Sequence, residues 1–211
     1  MKAAVVYGIN KLLVEDRPEP SAGPGELVVR TKAAGICSQD LQIMLERQLP
    51  AVPGQDMVGE ISAVGTGVRG FALGEPVAIH PGGLLGQGET NGVYAEYVRI
   101  PEAIVSSGGA VKLDDEMSCE DAVLAEPLAC TFAAARANRM REGQQVLIIG
   151  CGSVGLLHLK TAKWSGCKVM AMDINPTRLA LAGQMGADHL ITPDKLKEDL
   201  RRCPDGKGAD T

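Results

Sequence analysis

Aromatic residues are nearly missing from this chain: one Trp, three Tyr and two Phe among 211 residues. A core of this composition has to rest on Val, Ile, Leu and Ala. Long apolar runs are missing too. Nothing approaches the roughly 20 residues of a membrane-spanning helix, so no membrane partner is expected. The opening MKAAVVYGINKLLVEDRPEP has neither the apolar core nor the cleavage site of a secretory signal, which predicts a cytoplasmic protein. Basic runs are absent, and 21 Lys and Arg against 26 Asp and Glu leave a net charge of −5, which argues against nucleic-acid partners. The six cysteines (Cys37, Cys119, Cys130, Cys151, Cys167, Cys203) show no CxxC spacing. That excludes a disulfide framework for a cytosolic chain of this size, and most read as small buried hydrophobes. His80, His158 and His189 are not spaced for joint metal binding and read as structural or surface residues.

The length allows one large domain or two small ones, and the texture divides it. The first part alternates short β-like runs (2–7, 26–34, 57–64, 75–79 and 94–100) with Gly/Pro clusters at 18–25 and 65–70. That rhythm predicts an all-β barrel or sandwich. Near Ser118 the pattern turns helical. Ser118 is a predicted N-cap with Asp121 in the capping-box position, and Ala, Leu and Cys recur to about Met140, interrupted by Pro127. Domain boundaries of 1–140 and 141–211 are expected.

Val146 to Asp173 is the most informative stretch. An apolar β-branched run ends in Gly150-Cys151-Gly152-Ser153-Val154-Gly155; a helix-like segment follows, then an apolar run over 168–172 closed by Asp173. This is the order of a dinucleotide-binding βαβ unit. Gly150 permits the tight turn. Gly152 lets the backbone approach a pyrophosphate seated on the helix N-terminus, and Gly155 lets helix and strand pack closely. Asp173 is placed to accept the adenosine ribose hydroxyls, which favours NAD over NADP because a carboxylate repels a 2′-phosphate. Gly150, Gly152, Ser153, Val154, Gly155, Asp173 and Arg178 form the expected cofactor set. Beyond it, Asn175 is a predicted N-cap for a helix over 176–185, Gly186 its stop, 188–191 a third strand and 195–202 a third helix. The last residues, 206–211, fall where a fourth strand is expected to start, so only the first mononucleotide half is encoded and weak catalysis is expected.

The order of motifs resembles the medium-chain, zinc-type alcohol dehydrogenase family, especially its polyol and threonine dehydrogenase branch. Besides the glycine turn, the marks are MKAAVV, Ala34-Gly35-Ile36-Cys37-Ser38-Gln39-Asp40, the stretch from Pro53 to Glu60, Gly92 to Tyr97, and Ala125-Glu126-Pro127-Leu128-Ala129. The resemblance implies an N-terminal GroES-like β-barrel domain followed by a partial Rossmann domain, a doubly wound parallel sheet, with the active site in the cleft between them. It implies an NAD-dependent oxidoreductase acting on a small-molecule alcohol or carbonyl substrate, zinc-assisted, and a homo-oligomer.

Within that resemblance, Cys37 matches the cysteine that holds catalytic zinc and Glu126 the glutamate of the EPL segment. The histidine position is Gln55, followed by Asp56. Gln42 stands where a further histidine is usual, and Gln39 where Ser or Thr relays the substrate proton, with Ser38 adjacent. The implied catalytic set is Cys37, Ser38, Asp40 and Glu126; the implied set for one zinc ion is Cys37, Asp56 and Glu126. A carboxamide is a poor zinc ligand and no general base at neutral pH. A zinc-free reductase, with Gln39, Gln42 or Gln55 polarising a carbonyl, and a non-catalytic NAD-binding protein therefore remain alternatives. Each residue also has a structural reading: Cys37 as a buried strand-end thiol, Asp40 and Glu126 as helix caps, Asp56 as a turn acid. No structural zinc is expected, because the lobe that needs four cysteines is the cysteine-free stretch 81–89.

Overall fold

A computed structural model describes the chain except Gln39, Asp115 and residues 43–49, 81–91 and 202–207. Gln39, the cysteine-free stretch 81–89 and Cys203 therefore lie outside the described residues. The chain divides into two compact units, Met1–Glu126 and Pro127–Thr211.

In the first unit, β1 (Lys2–Gly8) and β2 (Lys11–Asp16) form an antiparallel hairpin turned at Asn10, which takes the left-handed conformation (φ 58°). A second sheet holds β3 (Leu27–Ala34), β4 (Met57–Val64), β5 (Pro76–Ile79), β6 (Tyr97–Ile100) and β7 (Ala110–Lys112), in the order β6-β3-β4-β5-β7. Helices α1 (Glu102–Ser106) and α2 (Cys119–Ala122) complete the unit. The predicted barrel is not formed among the described residues. The edge strand β6 pairs only with β3 and β7 only with β5, so the five-stranded sheet stays open. The hairpin pairs with other segments only at isolated bridges, Ala3 to Ala95 and Val6 to Ala51, among the described residues, rather than through a continuous ladder. Alternating apolar runs describe a barrel strand and an open-sheet strand equally well; closure depends on whether the two edge strands pair.

The core is aliphatic, as the shortage of aromatics requires. Leu27, Val29, Ile61, Val77, Ile100 and Ile104 pack as one buried cluster under the five-stranded sheet. The expected strand over 94–100 is shorter at its start. Val93 and Tyr94 instead donate their amides to the carbonyls of Gly54 and Pro53, tying this segment to the loop before β4. Strands β2 and β7 and helix α1 had no clear periodic signal, being short or, in β2, largely exposed.

The second unit opens with α3 (Ala125–Ala137, its first two residues belonging to the first unit by compactness). Pro127 sits in its first turn, where its missing N–H costs nothing, so the break in the helical stretch falls at Val123 and Leu124 instead. Strand β8 (Gln145–Ile149), helix α4 (Ser153–Trp164) and strand β9 (Lys168–Met172) follow, then α5 (Pro176–Gln184), β10 (His189–Ile191) and α6 (Leu196–Arg201). The sheet is parallel, in the order β10-β9-β8. Its free edge at β8 is taken up by the chain end: Leu147 donates to the Thr211 carbonyl and Asp210 to the Gln145 carbonyl, both at 2.8 Å. Val146, Ile148, Leu159, Ala162, Val169 and Leu179 pack the sheet against its helices. The predicted caps form. Ser118 Oγ accepts the Asp121 amide, and Asn175 Oδ1 accepts the amides of Thr177 and Arg178. No described helix is long and apolar enough to cross a membrane.

Candidate functional site

In the second unit, Gly150 leaves β8 at φ 96°, a conformation that favours glycine, and donates its amide to the Met172 carbonyl at 2.8 Å. The chain then turns through Cys151 into Gly152, the extended residue before α4. No side chain caps that helix and no acid stands in its first turn, so its leading amides and dipole suit an anion. A Cβ on Gly155 would lie 1.8 Å from the Gly150 carbonyl oxygen; glycine is what lets the helix sit on the turn. A Cβ on Gly152 would meet nothing within 4 Å, leaving the space that a close backbone approach needs. Ser153 and Val154 are exposed beside it.

Asp173, 8% exposed, closes this arrangement from the end of β9. Its Oδ2 accepts the Cys151 amide at 2.6 Å and its Oδ1 the Asn175 amide at 2.7 Å. Those two amides, Asn175 first, hold its carboxyl below the usual range, and the nearby Arg178 guanidinium adds to the effect. Arg178 itself is exposed. Burial raises the Cys151 thiol, and Asp173 raises it further, so it is not a thiolate nucleophile near neutral pH.

In the first unit the expected residues gather around Tyr94. The loop after β3 is fixed by the Gly35 amide on the Asp56 carbonyl at 2.9 Å. Asp40 is buried, and its Oδ2 accepts the Cys37 amide at 2.8 Å. The Tyr94 hydroxyl, with one proton to give, reaches Asp40 Oδ2 at 2.7 Å and the Gly35 carbonyl at 2.9 Å. Burial, followed by this contact with Asp40, drives the phenol well above its ordinary range. Tyr94 was missed as a site residue; its signal was a rare aromatic inside Gly92 to Tyr97. Gln55 Nε2 donates to Cys37 Sγ at 3.7 Å. Asp56, 3% exposed, is pushed up to about 7, first by burial and then by the charge and hydrogen bond of Glu126. Ser38 is exposed.

Fit to a zinc ion turns on this donor set. Asp40 Oδ1 and Asp56 Oδ1 are buried without hydrogen-bond partners, which alone would suit a cation. The rest does not. The Cys37 sulfur faces an amide N–H, which has no lone pair for a metal, and burial and the neighbouring Glu126 raise the Asp56 carboxyl, which opposes the ionised form that zinc requires. Among the described residues no three His, Cys, Asp or Glu converge as ligands. The arrangement does not fit a catalytic zinc.

Residues 23–115 match the alcohol dehydrogenase GroES-like domain, and residues 153–211 match the zinc-binding dehydrogenase domain. Sorbitol dehydrogenase of Bacillus subtilis is 29% identical over 100% of this chain and 67% of its own length. L-threonine 3-dehydrogenase of Symbiobacterium thermophilum is 34% identical over 93% of this chain and 63% of its own. The crystal structure of an NAD-dependent alcohol dehydrogenase superposes with a TM-score of 0.86 at 30% identity, covering 99% of this chain and 69% of that one. The chain belongs to the medium-chain, zinc-type alcohol dehydrogenase superfamily, a class of NAD-binding oxidoreductases. It spans about two thirds of the length of these relatives.

Proposed function

We propose that this chain carries the substrate-side GroES-like domain and the first half of the cofactor domain of an NAD-linked oxidoreductase. The reaction moves a hydride between the nicotinamide and the carbon of a secondary alcohol, with a polyol, sugar alcohol or amino alcohol as the substrate class. The observation that carries the reading is the glycine turn from Gly150 to Gly155, capped from β9 by Asp173. In this reading Gly152, Ser153 and Val154 receive the pyrophosphate, and Asp173 and Arg178 receive the adenosine ribose, with NAD favoured over NADP. The names of the sorbitol and threonine dehydrogenases support the substrate class. A homo-oligomer in the cytoplasm is the assembly and place proposed.

Two versions of the substrate half differ in how the substrate oxygen is held. The zinc-assisted version needs Cys37, Asp56 and Glu126 to converge on the ion, with Lewis-acid polarisation of the alcohol oxygen as the chemistry the ion supplies. The zinc-free version is favoured by the Gln55 contact to Cys37 and the Asp56 contact to Glu126. There the hydrogen-bonding groups around Tyr94, with Ser38 at the exposed rim, hold the substrate oxygen.

Calorimetric titration with NAD, NADH and NADP tests the core of the proposal. Micromolar to millimolar NAD(H) binding, tighter than NADP, is the expected result; tighter NADP binding or none to either overturns it. Activity across polyols, threonine and simple secondary alcohols then tests the substrate class.

A further inference from the structure

We propose that Asp173 is a positioning residue for the phosphate-binding turn, one that sets affinity for NAD and NADP together rather than only the choice between them. This rests on the NAD-binding reading above. One carboxylate bridges two backbone segments just beyond the end of the β8–β9 ladder. Its Oδ2 takes the Cys151 amide at 2.6 Å, inside the glycine turn; its Oδ1 takes the Asn175 amide at 2.7 Å, at the mouth of α5. Asn175 is itself fixed, because its side chain accepts the Thr177 and Arg178 amides at 2.9 and 3.2 Å. The same turn is held a second time by the backbone, through the Gly150 amide on the Met172 carbonyl at 2.8 Å. Met172 and Asp173 together therefore define where Gly152 and the first amides of α4 point.

The chemistry of the carboxylate supports both roles at once. Two oxygens offer about four lone-pair sites, and the two amides use two of them. The remaining pair suits the ribose hydroxyls. A residue that only recognised ribose would not need to be buried under two short charge-assisted hydrogen bonds. Losing them leaves the Cys151 amide, in a buried residue, without its acceptor, and the turn is then free to leave the shape that receives a pyrophosphate. A pyrophosphate is common to both nucleotides, so both lose affinity.

The test uses the 211-residue chain and the variants Asp173→Ala and Asp173→Asn. The second is isosteric and keeps one acceptor oxygen, so it guards against an alanine variant that does not fold. Nucleotide affinities are measured for NAD and NADP, and hydrogen exchange of the Cys151 and Asn175 amides is measured without nucleotide. The expected result is a loss of affinity for both nucleotides, about tenfold or more for NAD and smaller for NADP because the repulsion of a 2′-phosphate goes with the carboxylate, and at least about tenfold faster exchange at Cys151. A variant that keeps wild-type exchange at both amides and shifts only the ratio toward NADP overturns the proposal. If the wild-type chain binds neither nucleotide, the functional reading fails while exchange still decides the brace: faster exchange at Cys151 and Asn175 sustains it, and unchanged exchange overturns it.

Discussion

Gln55 donates its side-chain amide to the sulfur of Cys37 at 3.7 Å. In the superfamily pattern a histidine is expected at that position, and an imidazole would offer a nitrogen lone pair where the carboxamide offers an N–H. Wild-type protein loaded with zinc and then dialysed is expected to retain well under one equivalent by elemental analysis. Gln55→His is expected to raise retained zinc toward one equivalent, and the further change Cys37→Ser to abolish the gain. A full equivalent held by the wild type, and lost in Cys37→Ser, would show that the zinc-assisted version is correct.

Asp56 gives the site a pH signature. Its folded value of about 7 lies above the ordinary carboxylate range, through burial first and Glu126 second. For a raised group the contribution to stability is fully present below the unfolded value, about 4, and is lost as pH rises through the folded value. The melting temperature of the wild type is therefore expected to fall between about pH 4 and pH 7 and to level above that, with other carboxylates adding their own slopes. Asp56→Asn, which is neutral throughout, is expected to flatten this window. Parallel melting curves for the two proteins across it would remove Asp56 as the cause.

The glycine turn and its flanking strands were legible because each step is local: strand, φ-demanding glycine, helix, strand and acid follow one another within about 30 residues. Helix caps at Ser118 and Asn175 were legible for the same reason. The open sheet was not. Whether β6 and β7 meet is decided by how all five strands pair and twist, and their own residues read the same either way. In the first unit, sequence named Cys37, Asp40, Asp56 and Glu126 without their pairing. That Asp40 serves the Cys37 amide and the Tyr94 hydroxyl depends on a loop and a segment 54 residues apart. The ribose acid, likewise, was legible as an acid at a strand end, but its hold on the Cys151 amide was not.

Gly152 and Gly155 are expected to separate binding from folding. Gly152 takes an ordinary extended conformation (φ −74°), and a Cβ there meets nothing, so Gly152→Ala is expected to melt within about 1 °C of the wild type. Its NAD affinity is expected to fall at least tenfold, because the methyl group fills the approach of the pyrophosphate. In Gly155→Ala the new Cβ meets the Gly150 carbonyl at 1.8 Å, which backbone has to move to relieve. That variant is expected to lose about 1–3 kcal/mol of stability, and NAD affinity with it. Wild-type NAD affinity in Gly152→Ala would mean the nucleotide does not approach this turn.

Thr131 on α3 and Thr161 on α4 share a buried hydrogen bond at 2.7 Å, and proton bookkeeping makes it directional. Thr131 gives its one hydroxyl proton to the Leu128 carbonyl at 2.8 Å, so Thr161 is the donor between the two side chains. Thr161→Val then removes one hydrogen bond and leaves Thr131 still bonded to Leu128, a loss of about 1 kcal/mol. Thr131→Val leaves the Thr161 hydroxyl buried with no acceptor on α3, a loss of about 1–3 kcal/mol. The double variant replaces both polar partners by methyl groups of similar shape and is expected to be more stable than Thr131→Val alone. Denaturant melts of the four proteins give the coupling energy directly. Additive losses would mean that the two hydroxyls are bonded elsewhere and that α3 and α4 are held together by apolar packing alone.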